Sequence, residues 1–163
     1  MTATTIIFTT NHGDIHIELD FDKAPISAEN FKKYALDGFF KDTLFHRVIP
    51  GFVIQGGGFD TSFIQKTTQE TIQNESDNGL KNLRGSLSMA RTNDPHSATS
   101  QFFINLTDNA SLDHGHSWGY AVFGKVTQGM DVVDLIAQQP TTQRGMHSDV
   151  PTEDIIVSKV TVA

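Results

Sequence analysis

The amino-acid sequence predicts a mainly-β protein, a closed antiparallel barrel with two helices, and three observations carry that prediction. Short β-branched and aromatic runs recur along the chain, with 13 Gly placed between them as punctuation. The aromatic content is dominated by Phe, 12 residues against one Trp and two Tyr. Strand-like runs also stand at both ends of the chain, and a sheet that closes on itself leaves no edges to protect. The length, 163 residues, suggests a single domain, residues 1–163, able to bury its own core.

The elements follow in order. Residues 4–10 are β-branched and aromatic, and residues 14–19 alternate strictly; Asn11-His12-Gly13 between them is a turn signal, so the chain opens with a hairpin. Residues 25–37 read as a helix: Phe31, Tyr34 and Ala35 recur at i, i+3 and i+4, Pro25 suits a first turn and Gly38 can end it. Strand-like runs occupy residues 44–49, 52–55, 85–90, 101–106 and 120–126. A second helix is expected over residues 130–138, with Met130, Val133, Leu135 and Ile136 as its apolar positions, and residues 155–162 form a final strand. The total is about eight strands and two helices. Residues 57–84 are polar and lack periodicity, and a loop of that length is expected to be functional or mobile.

Charge and composition exclude several classes. With 19 Asp+Glu against 12 Lys+Arg the net charge is −7, and no basic run offers itself to a phosphate backbone, so no nucleic-acid partner is expected. The opening residues, Met1 to Phe8, lack a basic stretch followed by an apolar one, and no apolar run approaches the ~18 residues of a membrane span. A cytoplasmic protein without a membrane partner is the expectation. With no Cys there is no disulfide framework and no thiol chemistry. The sequons at Asn74, Asn105 and Asn109 then read as accidents of composition.

Three familiar patterns fail on inspection. Gly119 to Lys125 has phosphate-loop spacing, but Val126 stands where a hydroxyl residue is needed and the intervening residues are strand formers. Gly56-Gly57-Gly58 follows a strand, yet Thr61 replaces the next glycine of a dinucleotide fingerprint, and a turn is the better explanation. His114-Gly115-His116 has metal-ligand spacing without the following Glu, which favours two solvent-facing loop histidines.

The informative stretch runs from Phe45 to Phe59. Pro50-Gly51 is a turn between two apolar strands. A three-residue connection, Pro50 to Phe52, pairs Ile49 with Val53 and Arg47 with Gln55 and so puts these four on one face, whereas a two-residue loop separates Arg47 from Gln55. A guanidinium in so apolar a strand pair either snorkels to water or meets an acceptor, and local pattern alone fits a surface arginine as well as a catalytic one. Further on, Gln101 and Phe103 share one strand face while Phe102 and Ile104 share the other, and the polar flanks of Phe103 suggest that its face borders a cleft.

Taken together, Phe45 to Gly57, Gly85 to Ala90, Ser100 to Ile104 and Val122 to Val126 resemble the cyclophilins, a family of peptidyl-prolyl cis-trans isomerases, over nearly the whole chain. The resemblance implies an eight-stranded antiparallel barrel capped by two α-helices and an enzyme that rotates X–Pro bonds in proline-containing peptides and in unfolded or folded client proteins. It implies Arg47 as the catalytic arginine and Gln55 as its orienting partner or a substrate contact. Phe52, Val53, Phe103 and Leu112 would line the proline pocket, Ala90 and Gln101 would border the groove, and the backbone of Arg91 would pair with the peptide. Val53 stands where Met is usual, Arg91-Thr92 where Asn-Ala is common, and Tyr120 where a pocket-lining His is usual. Ser111 occupies the place of a Trp that contacts cyclosporin, so weak cyclosporin binding is expected, and the pattern is most similar to the bacterial cytoplasmic branch. Rotation breaks no bond, so no cofactor and no metal are expected, and a monomer is the default. A binding module that holds Pro-containing segments without turnover, and a metalloenzyme built on His114 and His116, are the competing readings. The joint presence of Arg47, Phe52, Gln55 and Phe103 favours the enzyme.

Overall fold

A computed structural model describes residues 4–163. The elements are β1 (Thr4–Thr10), β2 (Gly13–Leu19), α1 (Pro25–Leu36), β3 (Thr43–Leu44), β4 (Arg47–Ile49), β5 (Val53–Gly56), β6 (Ser86–Met89), β7 (Phe102–Asn105), a 3-10 turn (Ala110–Leu112), β8 (Val122–Gln128), α2 (Met130–Ala137), β9 (Thr141–Arg144), β10 (His147–Pro151) and β11 (Ile156–Val162). Among the described residues no helix is long and apolar enough to cross a membrane.

Nine strands form one antiparallel sheet in the order β3-β11-β1-β2-β8-β6-β7-β5-β4, and β9 pairs with β10 apart from it. The count differs from the expected eight because residues 44–49 are not one strand. Phe45 N–H donates to Ile155 O at 3.0 Å, towards β11, while Arg47 to Ile49 pair with β5 on the other side. The segment changes partners at Phe45-His46, and the two outermost strands of the sheet are therefore consecutive pieces of chain. The sheet is strongly curled and forms a half-barrel of nine strands, in place of the closed eight-stranded barrel expected. The β9–β10 hairpin was not legible as strand, because Thr141 to Arg144 are all exposed and carry no apolar alternation.

Aromatic packing explains the composition. Phe31, on the buried face of α1, lies with its ring centroid 4.9 Å from Phe40, 5.0 Å from Phe123, 5.2 Å from Phe102 and 5.9 Å from Phe8. Stacked, tilted and edge-to-face pairs of this kind add to the burial of large apolar rings. The first turn of α1 has no side-chain cap from Ala24; instead Ile26 and Ser27 donate their backbone N–H groups to the Glu75 carboxylate at 3.2 and 2.6 Å. In α2, Val133, Ile136 and Ala137 face the core, but Leu135, expected among the apolar contacts, is 42% exposed.

The long polar segment 57–84 contains no strand, and side chains pin it down. Asn74 Nδ2 donates to Pro95 O and Gly119 O, both at 3.0 Å, and Asn78 Nδ2 donates to Val122 O at 3.1 Å. Asn74, Asn105 and Asn109, the three asparagines of the sequons, are all buried with their amide nitrogens donating inside the protein.

Candidate active site

The turn at Pro50-Gly51 sets the register on which the site depends. Gly51 takes a left-handed conformation (φ 74°), and Phe52 N–H donates to Ile49 O at 3.0 Å. The connection has three residues, so Arg47 pairs with Gln55 and Ile49 with Val53. Arg47 does not simply snorkel. Its Nη1 donates to Gln55 Oε1 at 3.1 Å, and Gln55 Nε2 donates in turn to Gln101 Oε1 at 3.0 Å. An amide suits the middle of this relay because it accepts at one end and donates at the other. Gly58 leaves room for the last member: a Cβ there would fall 2.5 Å from Gln101 Cγ, so this glycine serves close packing and not only a turn.

Arg47, Gln55, Phe52, Val53, Ala90, Arg91, Phe103, Leu112 and Tyr120 line one cleft of about 300 Å³. Gln101 stands outside it and borders an adjoining recess of about 260 Å³ that shares Gln55, Ala90 and Arg91 with the cleft. The alternation along β7 holds. Phe102 and Ile104 are fully buried on the core side, and Phe103 turns to the cleft, edge-on to Tyr120 with centroids 5.6 Å apart. Leu112 reaches the cleft from the 3-10 turn, where Tyr120 N–H binds Leu112 O at 2.9 Å, and Ser111 beside it is exposed.

The Arg91 side chain was not anticipated. Its Nε donates to Gly119 O at 3.2 Å, Nη2 to Trp118 O at 2.9 Å and Nη1 to Thr92 O at 2.9 Å, and the guanidinium lies 4.5 Å above the Tyr120 ring. The segment before β8 is thereby fastened to the cleft wall. A second unforeseen feature is a buried amide network behind the cleft. Asn109 Nδ2 donates to Phe52 O at 3.0 Å and to Asn105 Oδ1 at 2.8 Å; Asn105 Nδ2 donates to Asn82 Oδ1 at 3.1 Å; and Asn82 Nδ2 reaches Tyr120 O at 3.3 Å. Opposite walls of the cleft are tied through three asparagines. The only trace in sequence is an asparagine at the end of an apolar strand.

Two histidines, His46 and His114, are packed against other side chains of the protein, and the second departs from the solvent-facing position expected of it. His46, next to Arg47, is buried, packs 4.5 Å from Phe59 and leaves Nδ1 without a partner. Burial, then the neighbouring His147, then Arg47 lower its pKa to about 4, so it is neutral at pH 7. His114 is not solvent-facing: its Nδ1 lies 3.1 Å from Ser76 Oγ and its ring packs edge-on to Trp118 at 5.2 Å, while His116 is exposed. Among the described residues no three or more His, Asp or Glu side chains are grouped to hold a metal ion.

Comparison with known proteins agrees with this architecture. The sequence model of the family described as cyclophilin type peptidyl-prolyl cis-trans isomerase/CLD matches residues 5–162. Peptidyl-prolyl cis-trans isomerase B of Escherichia coli (strain K12) is 55% identical over 162 residues, covering 97% of this chain and 99% of the relative. A peptidyl-prolyl cis-trans isomerase of Acinetobacter baylyi is 54% identical over 160 residues, covering 98% of this chain and 85% of its own length. A crystal structure of a Cryptosporidium parvum cyclophilin type peptidyl-prolyl cis-trans isomerase superposes with a TM-score of 0.83 at 28% identity, covering 99% of this chain and 98% of that one. The same protein in the presence of the dipeptide Ala-Pro gives 0.81.

Proposed function

The chain belongs to the cyclophilin-type peptidyl-prolyl cis-trans isomerases and catalyses cis-trans isomerisation of X–Pro bonds, and from that premise we propose that Arg47 is the catalytic group and that the cleft around Phe103 holds the proline ring. The observation that carries the proposal is the position of the Arg47 guanidinium, held by Gln55 at 3.1 Å in a cleft walled by Phe52, Val53, Phe103, Leu112 and Tyr120.

An X–Pro bond has little preference between isomers but exchanges in tens to hundreds of seconds, because rotation removes amide resonance worth ~18–20 kcal/mol at the barrier. In the planar amide the proline nitrogen accepts no hydrogen bond. When the bond twists, the nitrogen regains its lone pair. A donor aimed there stabilises the transition state and leaves the ground state alone, which is the condition for raising the rate. Arginine suits the task, since its charge and planar donor fork persist throughout the physiological pH range.

The magnitudes show that Arg47 does not act alone. A charge-assisted hydrogen bond contributes ~1.5–3 kcal/mol, and an acceleration of ~10⁵ requires about 7 kcal/mol. Anchoring of the ring by the apolar wall, pairing of the peptide with backbone at Arg91, and partial exclusion of water from the Arg47 bond supply the rest. The Ala-Pro dipeptide present with the Cryptosporidium parvum relative supports a site of this kind. The same reading gives the protein a cytoplasmic location and action as a monomer, which cell fractionation and sedimentation test. Weak cyclosporin binding also belongs to it, since Ser111 offers no aromatic surface. A protease-coupled isomerase assay on a Pro-containing peptide tests the proposal: Arg47→Ala lowers kcat/KM by at least about tenfold while the fold, followed by circular dichroism, is kept. Turnover near that of the wild type removes Arg47 from the role.

A further inference from the structure

The arginines of this acidic protein divide by partner. Arg84 is paired with Asp134 at 2.7 Å and Arg144 with Asp154 at 3.6 Å. Arg47 and Arg91, the other two in the sequence, meet no carboxylate among the described residues, and both line the same cleft, whose remaining lining residues are uncharged. The adjoining recess also has Arg91 on its wall and no acidic residue. A chain with a net charge of −7 thus has two cations without counter-ions in one groove.

The partners of Arg91 hold its guanidinium in place and leave its charge standing. They are the carbonyls of Thr92, Trp118 and Gly119 and the face of Tyr120, all neutral. Apolar walls of low dielectric concentrate the field in the groove and leave an anionic group entering it less screened than one on the open surface. An Arg47 engaged with the proline nitrogen is committed to the bond itself. Arg91, on the boundary between cleft and recess, faces whatever flanks it.

We propose that the cleft selects X–Pro segments that carry a carboxylate side chain close to the proline and disfavours those that carry Lys or Arg there, with Arg91 as the specificity-determining residue. The inference rests on the isomerase reading of the same site and adds the substrate class. It accounts for two of the departures from the family pattern, Arg91 and Tyr120, as one unit: a cation and the ring that seats it.

The test is a set of short peptides differing only by Glu, Gln or Lys, placed in turn before X, at X and after proline, with kcat/KM measured at about 20 mM and about 0.5 M salt. At the responsive position the Glu peptide is expected about threefold above Gln and the Lys peptide about threefold below, and the spread shrinks at high salt. Arg91→Lys keeps the spread and Arg91→Gln collapses most of it. A purely structural role of Arg91 would lower all three peptides by one factor and leave their ratios intact, which overturns the assignment. Equal rates for the three peptides at every position in low salt overturn the inference while the isomerase reading stands. Failure to accelerate even the Gln peptide removes the isomerase reading and the inference with it.

Discussion

Replacing Gln55 with Leu tests whether the guanidinium is positioned or merely present. The side chain of Gln55 accepts from Arg47 at 3.1 Å and donates to Gln101 at 3.0 Å, so the substitution cuts the relay at its centre while keeping similar bulk. A hydrogen bond to a charged group contributes ~1.5–3 kcal/mol. Arg47 and Gln55 are both half-buried, water replaces part of what is lost, and the expected loss is at the lower end, about 1.4 kcal/mol or tenfold in kcat/KM. Stability falls by less, about 0.5–1 kcal/mol, since water reaches the freed groups. Gln101→Leu acts one step further from Arg47 and lowers kcat/KM by about threefold. The protease-coupled assay gives the rates and urea unfolding gives the stabilities. Gln55→Leu within about twofold of the wild type, or a larger effect from Gln101 than from Gln55, refutes the positioning argument.

Three further outcomes are expected. Phe103→Ala lowers kcat/KM by at least about tenfold and, because the ring borders the cleft yet is only 4% exposed, also lowers stability by about 3 kcal/mol, the lower end of the range for a buried Phe; a stability within about 1 kcal/mol of the wild type contradicts that burial. His46 has a folded pKa of about 4 against 6.5 unfolded, so the unfolded state binds the extra proton first as pH falls. Stability is full above pH 6.5, is lost between 6.5 and 4 by up to about 3 kcal/mol, and changes no further on this account below pH 4. Urea unfolding of the wild type and His46→Phe at both ends of that window checks it, and parallel losses in the two proteins contradict it. Ser111→Trp tightens cyclosporin binding by about tenfold or more in a fluorescence titration, since the exposed 3-10 turn presents the new ring beside Leu112; unchanged affinity shows that Ser111 does not occupy the drug-contacting position.

Local rules made much of this site legible. A three-residue turn at Pro50-Gly51 dictates the pairing of Arg47 with Gln55, and period-two alternation separates Phe103 from Phe102 and Ile104. What stayed hidden depends on contacts between residues far apart in the chain. The split of residues 44–49 into β3 and β4 follows from Phe45 bonding to Ile155, and no local pattern announces it. Arg91 reads as an ordinary polar residue after a strand until the loop 27 residues later returns its carbonyls to the guanidinium. Asn82, Asn105 and Asn109 read as loop and sequon residues, yet they form the buried bracing behind the cleft, because an amide that meets both a donor and an acceptor can be buried at little cost. The β9–β10 hairpin has a fully exposed first strand and buries only Val150 and Pro151 of the second, too little apolar alternation to read as strand.

The central claim is that the Arg47 guanidinium acts on the twisted bond and hardly on the resting peptide. Exchange spectroscopy of a Pro-containing peptide, run with wild type and Arg47→Ala across a titration, yields the rate on the enzyme and the dissociation constant separately. The account predicts a rate at least about tenfold lower in the variant with a dissociation constant within about threefold of the wild type. An unchanged rate accompanied by weakened binding would contradict it, leaving Arg47 as a peptide-binding residue only.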